Sequence, residues 1–155
     1  MKNLQVNRWL IVSFLFFGGT TLVGMPNPVL DAIQDDSSLA DLRAAIASGA
    51  NIDQQDENMS TPLLYAVEFN KLEFAQELLA AGANPNILNN YDRSPFLEAL
   101  EFNKVEMVRV LKDSGRLDQQ TVQAVIDCLF LIASKNGLSP EQQEILNILT
   151  GPQLW

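Results

Sequence analysis

The chain repeats itself at an interval of 33 residues. Thr-Pro-Leu at 61–63 returns as Ser-Pro-Phe at 94–96, and Glu-Phe-Asn-Lys at 68–71 returns unchanged at 101–104. Such spacing indicates a tandem array of one structural unit rather than a single globular fold. The same interval separates three glycines, which are Gly49, Gly82 and Gly115.

Each unit is predicted to contain two short helices. Thr61 and Ser94 can cap a helix by accepting backbone N–H bonds, and the proline that follows suits the first helical turn. Gly82 can adopt the left-handed conformation that ends the second helix. The polar run at 84–93 then predicts a hairpin-like loop to the next unit. The apolar stripes, at helical spacing, are Leu63, Ala66 and Val67 in the first helix and Leu72, Ala75, Leu78 and Leu79 in the second.

These motifs resemble the ankyrin repeat. The second unit, at 61–86, fits that family's pattern along its length, with Thr-Pro-Leu opening its first helix and Leu78-Leu79 preceding the final glycine. The resemblance implies an all-α solenoid of helix-turn-helix units joined by short hairpin-like loops. It also implies recognition of another protein through an inner groove and the loop tips.

Repeats of this kind are stable only when stacked, because a pair of short helices cannot bury its own apolar stripe. The first unit lacks Thr-Pro and is predicted to be a degenerate N-terminal cap, and the register decays again after Gly115. We expect two helices in the C-terminal cap, at 121–135 and from Ser139 onwards, with Leu154 and Trp155 folding back onto them. The ankyrin domain at 25–155 therefore divides into a cap repeat at 28–52, repeats at 53–86 and 87–118, and a helical cap at 119–155.

The N-terminal segment 1–24 resembles a secretory signal peptide, because Lys2 and Arg8 precede an apolar run at 9–17. As a helix, residues 9–23 would reach only roughly 22 Å, against a hydrocarbon core of about 30 Å. We therefore expect export to the periplasm of a bacterium, or secretion. The alternative is an uncleaved anchor in the inner membrane, with the domain outside the cytoplasm.

The charge balance restricts the class of partner. The formal net charge is −9, and removal of Lys2 and Arg8 with the signal segment leaves −11. A surface of that sign repels nucleic acids and anionic lipid headgroups, whereas it attracts a basic protein face. We expect a monomer that binds a protein partner with a basic surface and, after signal cleavage, no membrane. The alternative is that the acidic surface serves solubility alone.

The residue types argue against catalysis. The chain has no histidine, no phosphate-binding glycine loop and a single cysteine, so we expect no catalytic residue, metal or cofactor. A remote alternative is a carboxylate-based hydrolase or a calcium site built from Glu68 and Glu101, although repetition alone explains that pair. Cys128 has no basic neighbour in the sequence and is predicted to be a small buried hydrophobic residue.

Two phenylalanines are the first candidate binding residues. By the resemblance, Phe69 and Phe102 occupy positions that line the inner groove, and Glu68 and Glu101 accompany them. If the rings are exposed, they form an apolar strip with a charged rim, as expected of a binding hot spot. The alternative is that each ring packs in the core against the next repeat.

The loop tips form the second candidate surface. Met59 and Asp92 replace the glycine that the ankyrin pattern places before the helix, which puts the tight turn in doubt. Asn58, Tyr91 and Arg93 flank those positions and are candidate contact residues, the alternative being an ordinary solvated loop.

Two further departures from the pattern concern polar contacts. Leu64 and Leu97 replace the histidine with which the family often ties neighbouring repeats together. Glu98 corresponds to Tyr65 and needs a cation, either Arg93 or Lys104, or an open groove.

The resemblance leaves the partner's identity open. Small exported bacterial ankyrin proteins are associated either with catalase function and oxidative-stress protection, or with immunity against a secreted antibacterial toxin. An acidic scaffold that neutralises a basic enzyme suits the immunity role slightly better, because a haem-handling role would require histidine or cysteine ligands. Three classes remain: a free binding module, a membrane-tethered scaffold and a carboxylate hydrolase.

Overall fold

The computed structural model describes residues 27–34 and 38–151. Within those ranges the chain forms helices and no strands, which confirms the predicted all-α class. The signal-peptide interpretation of 1–24 and the expected fold-back of Leu154 and Trp155 lie outside the described residues. The helices are α1 (Pro28–Gln34), α2 (Leu39–Ala47), α3 (Pro62–Glu68), α4 (Leu72–Ala80), α5 (Pro95–Glu101), α6 (Val105–Asp113), α7 (Gln119–Asn136) and α8 (Pro140–Thr150).

The helices stack in two layers. The first helix of each unit packs on the next, with α1 against α3 and α3 against α5. The second helices do the same, with α2 against α4 and α4 against α6, and α8 extends this second layer by packing on α6. One apolar core runs between the two layers from Val29 in α1 to Leu149 in α8. The arrangement is the predicted solenoid.

The repeated motifs open α3 and α5 as the sequence predicts. The Thr61 hydroxyl accepts a hydrogen bond from the Leu64 N–H at 3.2 Å, and the Ser94 hydroxyl accepts one from the Leu97 N–H at 3.2 Å. In both helices the following proline occupies the first turn. Each cap satisfies a backbone donor that the helix itself leaves unpaired.

Each helix in the middle repeat ends in a left-handed residue. Gly82 has a φ of 105° after α4, and the Ala83 N–H donates to the Leu78 carbonyl at 2.9 Å. Asn70 plays the same part after α3, with a φ of 55°, and the Lys71 N–H donates to a carbonyl one turn back in that helix at 2.8 Å. Asparagine tolerates this conformation better than most residues. Asn70 and Asn103, which lie 33 residues apart, therefore mark the ends of α3 and α5.

Two lysine side chains supply polar contacts between neighbouring repeats. Lys71 Nζ donates to the Ile33 carbonyl at 2.8 Å, and Lys104 Nζ donates to the Val67 carbonyl at 2.7 Å. Each ammonium thus satisfies the open C-terminal carbonyls of the preceding first helix, where a positive charge is also favourable. The loss of the family's histidine at Leu64 and Leu97 therefore leaves the repeats with a different polar tie.

The C-terminal part contains the two predicted helices. Ser139 and Gln142 form a capping box at the start of α8, and α7 packs on α8. The expectation that Cys128 is buried is wrong, because the thiol is exposed. Leu129 faces the core, and Cys128 lies about 100° from it around the helix. Phe130, on the other side of Leu129 in the sequence, is also exposed, with 53% of its surface accessible.

None of the helices in the described part of the chain is both long and apolar enough to cross a membrane.

Candidate functional site

Phe69 and Phe102 lie on the surface. Their exposed fractions are 48% and 52%, so the alternative that the rings pack in the core is wrong. Each residue is the C-cap of its helix, one position beyond the last helical residue of α3 or α5. The chain there has already left the buried stripe, which ends at Val67 in α3. The Phe69 ring also contacts the Tyr65 ring, with centroids 5.8 Å apart.

Arg93 lies in the loop before α5 and forms ion pairs with two glutamates of that helix. Its Nη1 lies 3.1 Å from Glu98 Oε2, and its Nη2 lies 3.3 Å from Glu101 Oε2. The guanidinium carbon is also 5.8 Å from the centroid of the Phe102 ring. Lys104 Nζ approaches the same ring to 5.4 Å, which gives Phe102 two cationic neighbours.

Glu98 is a buried acid within this site, with only 3% of its surface exposed. Burial raises the pKa of its carboxyl, and the charge of Arg93 acts in the opposite direction. The carboxylate of Glu68 contributes a smaller upward effect on that pKa. The expectation that Glu98 requires a cation is confirmed, and Arg93 supplies it.

The loop tips keep their tight turns without glycine. Met59 and Asp92 have φ values of 60° and 56°, in the left-handed region that glycine favours. The acceptors that hold these turns are Asp56 and Asn89, whose side-chain oxygens accept from the N–H groups of residues 60 and 93 at 2.8 and 3.1 Å. Met59 and Asp92 therefore place side chains on tight turns that are held by these side-chain acceptors. Tyr91, beside Asp92, is 70% exposed.

Neighbouring loops are hydrogen-bonded to one another. The Asn90 N–H donates to the Asn58 carbonyl at 3.0 Å, and Asn89 Nδ2 donates to the Ser60 hydroxyl at 3.3 Å. Gln55 Nε2 adds a third contact to a carbonyl of the second loop at 3.2 Å. The two tips are thus held in a fixed register, which favours them as a binding surface.

A cavity of about 400 Å³ lies between these tips and the helices α3 and α5. Eight candidate binding residues are predicted from the sequence, and four of them line this cavity. Glu68 and Phe69 border a second, more open depression of about 570 Å³ beside α6. Met59, Glu101 and Phe102 lie outside the lining of both. The nominated residues around the first cavity are Asn58, Glu68, Tyr91 and Arg93.

Tyr65 is a cavity residue that sequence reasoning missed. Its hydroxyl donates to Asp56 Oδ2 at 2.7 Å. Burial raises the pKa of the phenol, and the hydrogen bond to this carboxylate raises the pKa further by a smaller amount. The sequence does contain a signal for it, because Tyr65 and Glu98 occupy equivalent positions of neighbouring repeats. Both residues line the same cavity.

The family model described as "Ankyrin repeats (3 copies)" matches residues 30–121. The chain belongs to the ankyrin repeat family. The match extends from α1 to the first turn of α7 and includes every nominated residue. No curated protein matches the chain. Ankyrin repeats are protein–protein interaction modules, so the exposed strip and the loop tips lie on a scaffold of that type.

The two repeated glutamates of this ankyrin protein differ in environment. Both are exposed, but Glu101 is paired with Arg93, whereas Glu68 has no ion pair among the described residues. Lys104 Nζ donates to the backbone carbonyl of Glu68 at 3.0 Å and not to its carboxylate. Across 27–34 and 38–151, no group of three histidine, cysteine or acidic side chains is placed to hold a metal ion.

Proposed function

We propose that this ankyrin repeat protein is an exported, non-catalytic module that binds a basic surface of a partner protein in the periplasm or outside the cell. The observation that carries the proposal is the exposure of Phe69 and Phe102 at equivalent positions of neighbouring repeats. The contact surface, which we call the aromatic face, consists of Phe69, Phe102, Glu68, Glu101, Asn58, Met59, Tyr91 and Arg93.

The composition of the aromatic face supports protein binding. Two half-exposed rings offer apolar area that gains free energy when a partner removes it from water. Charged groups surround them, with Glu101 and Lys104 next to Phe102. An aromatic centre with a charged rim is the usual composition of an interface hot spot.

The charge of the chain supports a basic partner. Without the segment that holds Lys2 and Arg8 the net charge is −11, which accelerates association with a positive surface through long-range attraction. A basic secreted toxin is such a partner, so we favour an immunity role over a catalase accessory role. Haem handling would draw on histidine or cysteine ligands, and this chain has no histidine and one cysteine.

The test of the aromatic face is capture of a partner from periplasmic extract by the double variant Phe69→Ala, Phe102→Ala. We expect capture to be lost while the protein stays folded, because both rings are outside the core. The matched control is Phe130→Ala, Leu131→Ala, which removes equally exposed apolar groups from α7. Equal capture by wild type and the double variant would contradict the proposal, as would equal loss in the control.

Export is tested separately by mass spectrometry of the N-terminus of the mature protein. A chain that begins near Met25 is a free periplasmic or secreted protein. A chain that retains Met1 supports instead the membrane-anchored scaffold.

A further inference from the structure

The two central repeats differ in charge at two positions of this site, because Arg93 and Glu98 of the later repeat stand where the earlier one has Ser60 and Tyr65. Arg93, Glu101 and Phe102 form a cluster in the later repeat, and the residues 33 positions earlier are Ser60, Glu68 and Phe69. The acid and the ring recur, but the cation does not. The earlier repeat therefore carries the same carboxylate and the same exposed ring, with a serine instead of an arginine at the equivalent position.

The later repeat shows how an arginine occupies such a place. The guanidinium of Arg93 pairs with Glu101 at 3.3 Å and lies 5.8 Å from the ring centroid of Phe102. Arginine suits this combination because its planar group can pair with a carboxylate and stack on an aromatic face at once.

In the earlier repeat the corresponding space is open. Ser60 is too small to fill it, and its hydroxyl is held by Asn89 Nδ2 at 3.3 Å. Ser60 and Glu68 both line the cavity of about 400 Å³ between the loop tips and the helices. That volume accommodates the end of a long side chain that enters from solvent.

The chain's own cations near this cavity have other partners. Arg93 is engaged by Glu98 and Glu101, and Lys104 Nζ by the carbonyls of Val67 and Glu68. In the part of the chain that the structure describes, the Glu68 carboxylate has no ion pair. A carboxylate in this position gains most from a cation that arrives with a partner.

The cavity walls favour a planar cation. Tyr65 and Tyr91 line it, and the Tyr65 ring contacts that of Phe69. Aromatic faces attract guanidinium groups, and the attraction is larger where water is excluded. The buried Glu98 carboxylate also lines the cavity, but Arg93 already pairs with it at 3.1 Å, so Glu68 is the acid of this lining that a second cation can pair with.

We propose that this cavity binds an arginine side chain of the partner protein, whose guanidinium pairs with Glu68 as Arg93 pairs with Glu101. The inference rests on the proposed function and names the group on the partner that the aromatic face recognises.

The probe is the capped peptide acetyl-Gly-Gly-Arg-Gly-Gly-amide, titrated into the purified full chain while the amide NMR resonances are followed. We expect saturable shifts at residues of the cavity wall, including Glu68 and Tyr91. The same peptide with citrulline in place of arginine keeps the shape and loses the charge. It should bind about tenfold more weakly, since hydrogen bonds between charged groups are roughly twice as strong as neutral ones. Equal binding of the two peptides, or shifts spread over the whole acidic surface, would overturn the proposal.

Two variants locate the site. Glu68→Gln should weaken the arginine peptide about fivefold through loss of the charged pair. Ser60→Arg should block the cavity, because it restores the arrangement of the later repeat within the chain. The matched control is Glu73→Gln on α4, an exposed acid outside the cavity, which should leave the affinity unchanged. If Ser60→Arg does not fold, Glu68→Gln is the remaining test. An unchanged affinity of that variant for the arginine peptide would overturn the proposal.

Partner capture separates this inference from the proposed function. Capture that depends on Phe69 and Phe102 but survives Glu68→Gln and Ser60→Arg overturns the arginine site and leaves the aromatic face intact. Capture that survives loss of both rings overturns the proposed function, whatever the peptide titration shows.

Discussion

The Arg93 guanidinium lies 3.1 Å from the buried carboxylate of Glu98. Arg93 belongs to the loop and Glu98 to α5, so one ion pair fixes the loop on the helix that follows it. It also supplies the cation without which the buried acid would lie uncompensated next to Glu68 and Glu101. The position of the loop tip and the charge of the cavity therefore depend on the same contact.

The first prediction concerns the pH dependence of this pair. Arg93→Ala should lower the free energy of unfolding by about 2 kcal/mol at pH 7, since a buried carboxylate then loses its charged hydrogen bond. Burial raises the pKa of Glu98 above its ordinary value of 4.5, so the native state binds this proton more readily than the unfolded chain. The contribution of Glu98 to stability is therefore greatest below pH 4.5 and falls as the pH rises through the native pKa.

The loss of Arg93 should raise that pKa further, so that the fall extends to a higher pH and becomes larger in total. Lys104 lowers the pKa of Glu98, whereas Glu68 and Glu101 raise it, so their charges act on the same titration. Urea unfolding at pH 7 and at a pH below 4.5 measures the difference, which should shrink in acid. The control is Arg116→Ala, an exposed arginine with no ion pair in the described ranges, expected to change stability by under about 0.5 kcal/mol. An acid-independent effect of Arg93→Ala would contradict the assignment.

The second prediction concerns the lysine ties between repeats. Lys104→Met keeps most of the apolar stem but removes the ammonium that donates to the carbonyls of Val67 and Glu68. The loss of a charged donor from two helix-end carbonyls should cost about 1–2 kcal/mol in urea unfolding. Lys135→Met on α7 is the control, because the ammonium of that exposed lysine has no hydrogen bond or ion pair among the described residues. Equal effects of the two changes would show that the tie contributes nothing.

Local signals in the sequence were sufficient for the fold. Thr61 and Ser94, each followed by proline, specify where a helix starts through contacts three residues away, and the 33-residue interval then repeats that information. Gly82 specified a helix end in the same way. Asn70 also ends a helix in the left-handed conformation, but the sequence analysis does not predict this, because asparagine is less restricted to helix ends than glycine.

Features that depend on neighbouring repeats could not be predicted in this way. The tie from Lys104 to Val67 spans 37 residues, and the cavity gathers residues from two loops and two helices. The exposure of Phe69 and Phe102 depended on whether the next repeat covers them, which periodicity does not determine. The prediction that Cys128 is buried is wrong for the same reason. Helix α7 departs from the repeat register, and its contacts with α8 determine which of its residues face inward.

The third prediction follows from the exposure of Cys128. Its thiol should react with Ellman's reagent in the folded protein at a rate within about tenfold of that in concentrated guanidinium chloride, since exposure controls access to the thiolate. The matched comparison is the double variant Cys128→Ser, Leu129→Cys, which moves the thiol to the neighbouring buried position. That variant should react only as fast as α7 opens or the protein unfolds. Similar rates for both positions would contradict the orientation of α7.

The fourth prediction concerns the left-handed turn at Met59. A residue with a side chain is strained at a φ of 60°, so Met59→Gly should raise the free energy of unfolding by about 0.5–1 kcal/mol. The gain is limited because glycine also increases the entropy of the unfolded chain. Asn58→Gly is the control, since Asn58 has no positive φ and gains only that unfavourable entropy, which should lower stability. If both variants are destabilised equally in urea, the turn at Met59 carries no strain, and the side chain at the tip contributes to folding. If Met59→Gly is instead more stable but binds the partner more weakly, methionine at this position favours recognition at the expense of stability.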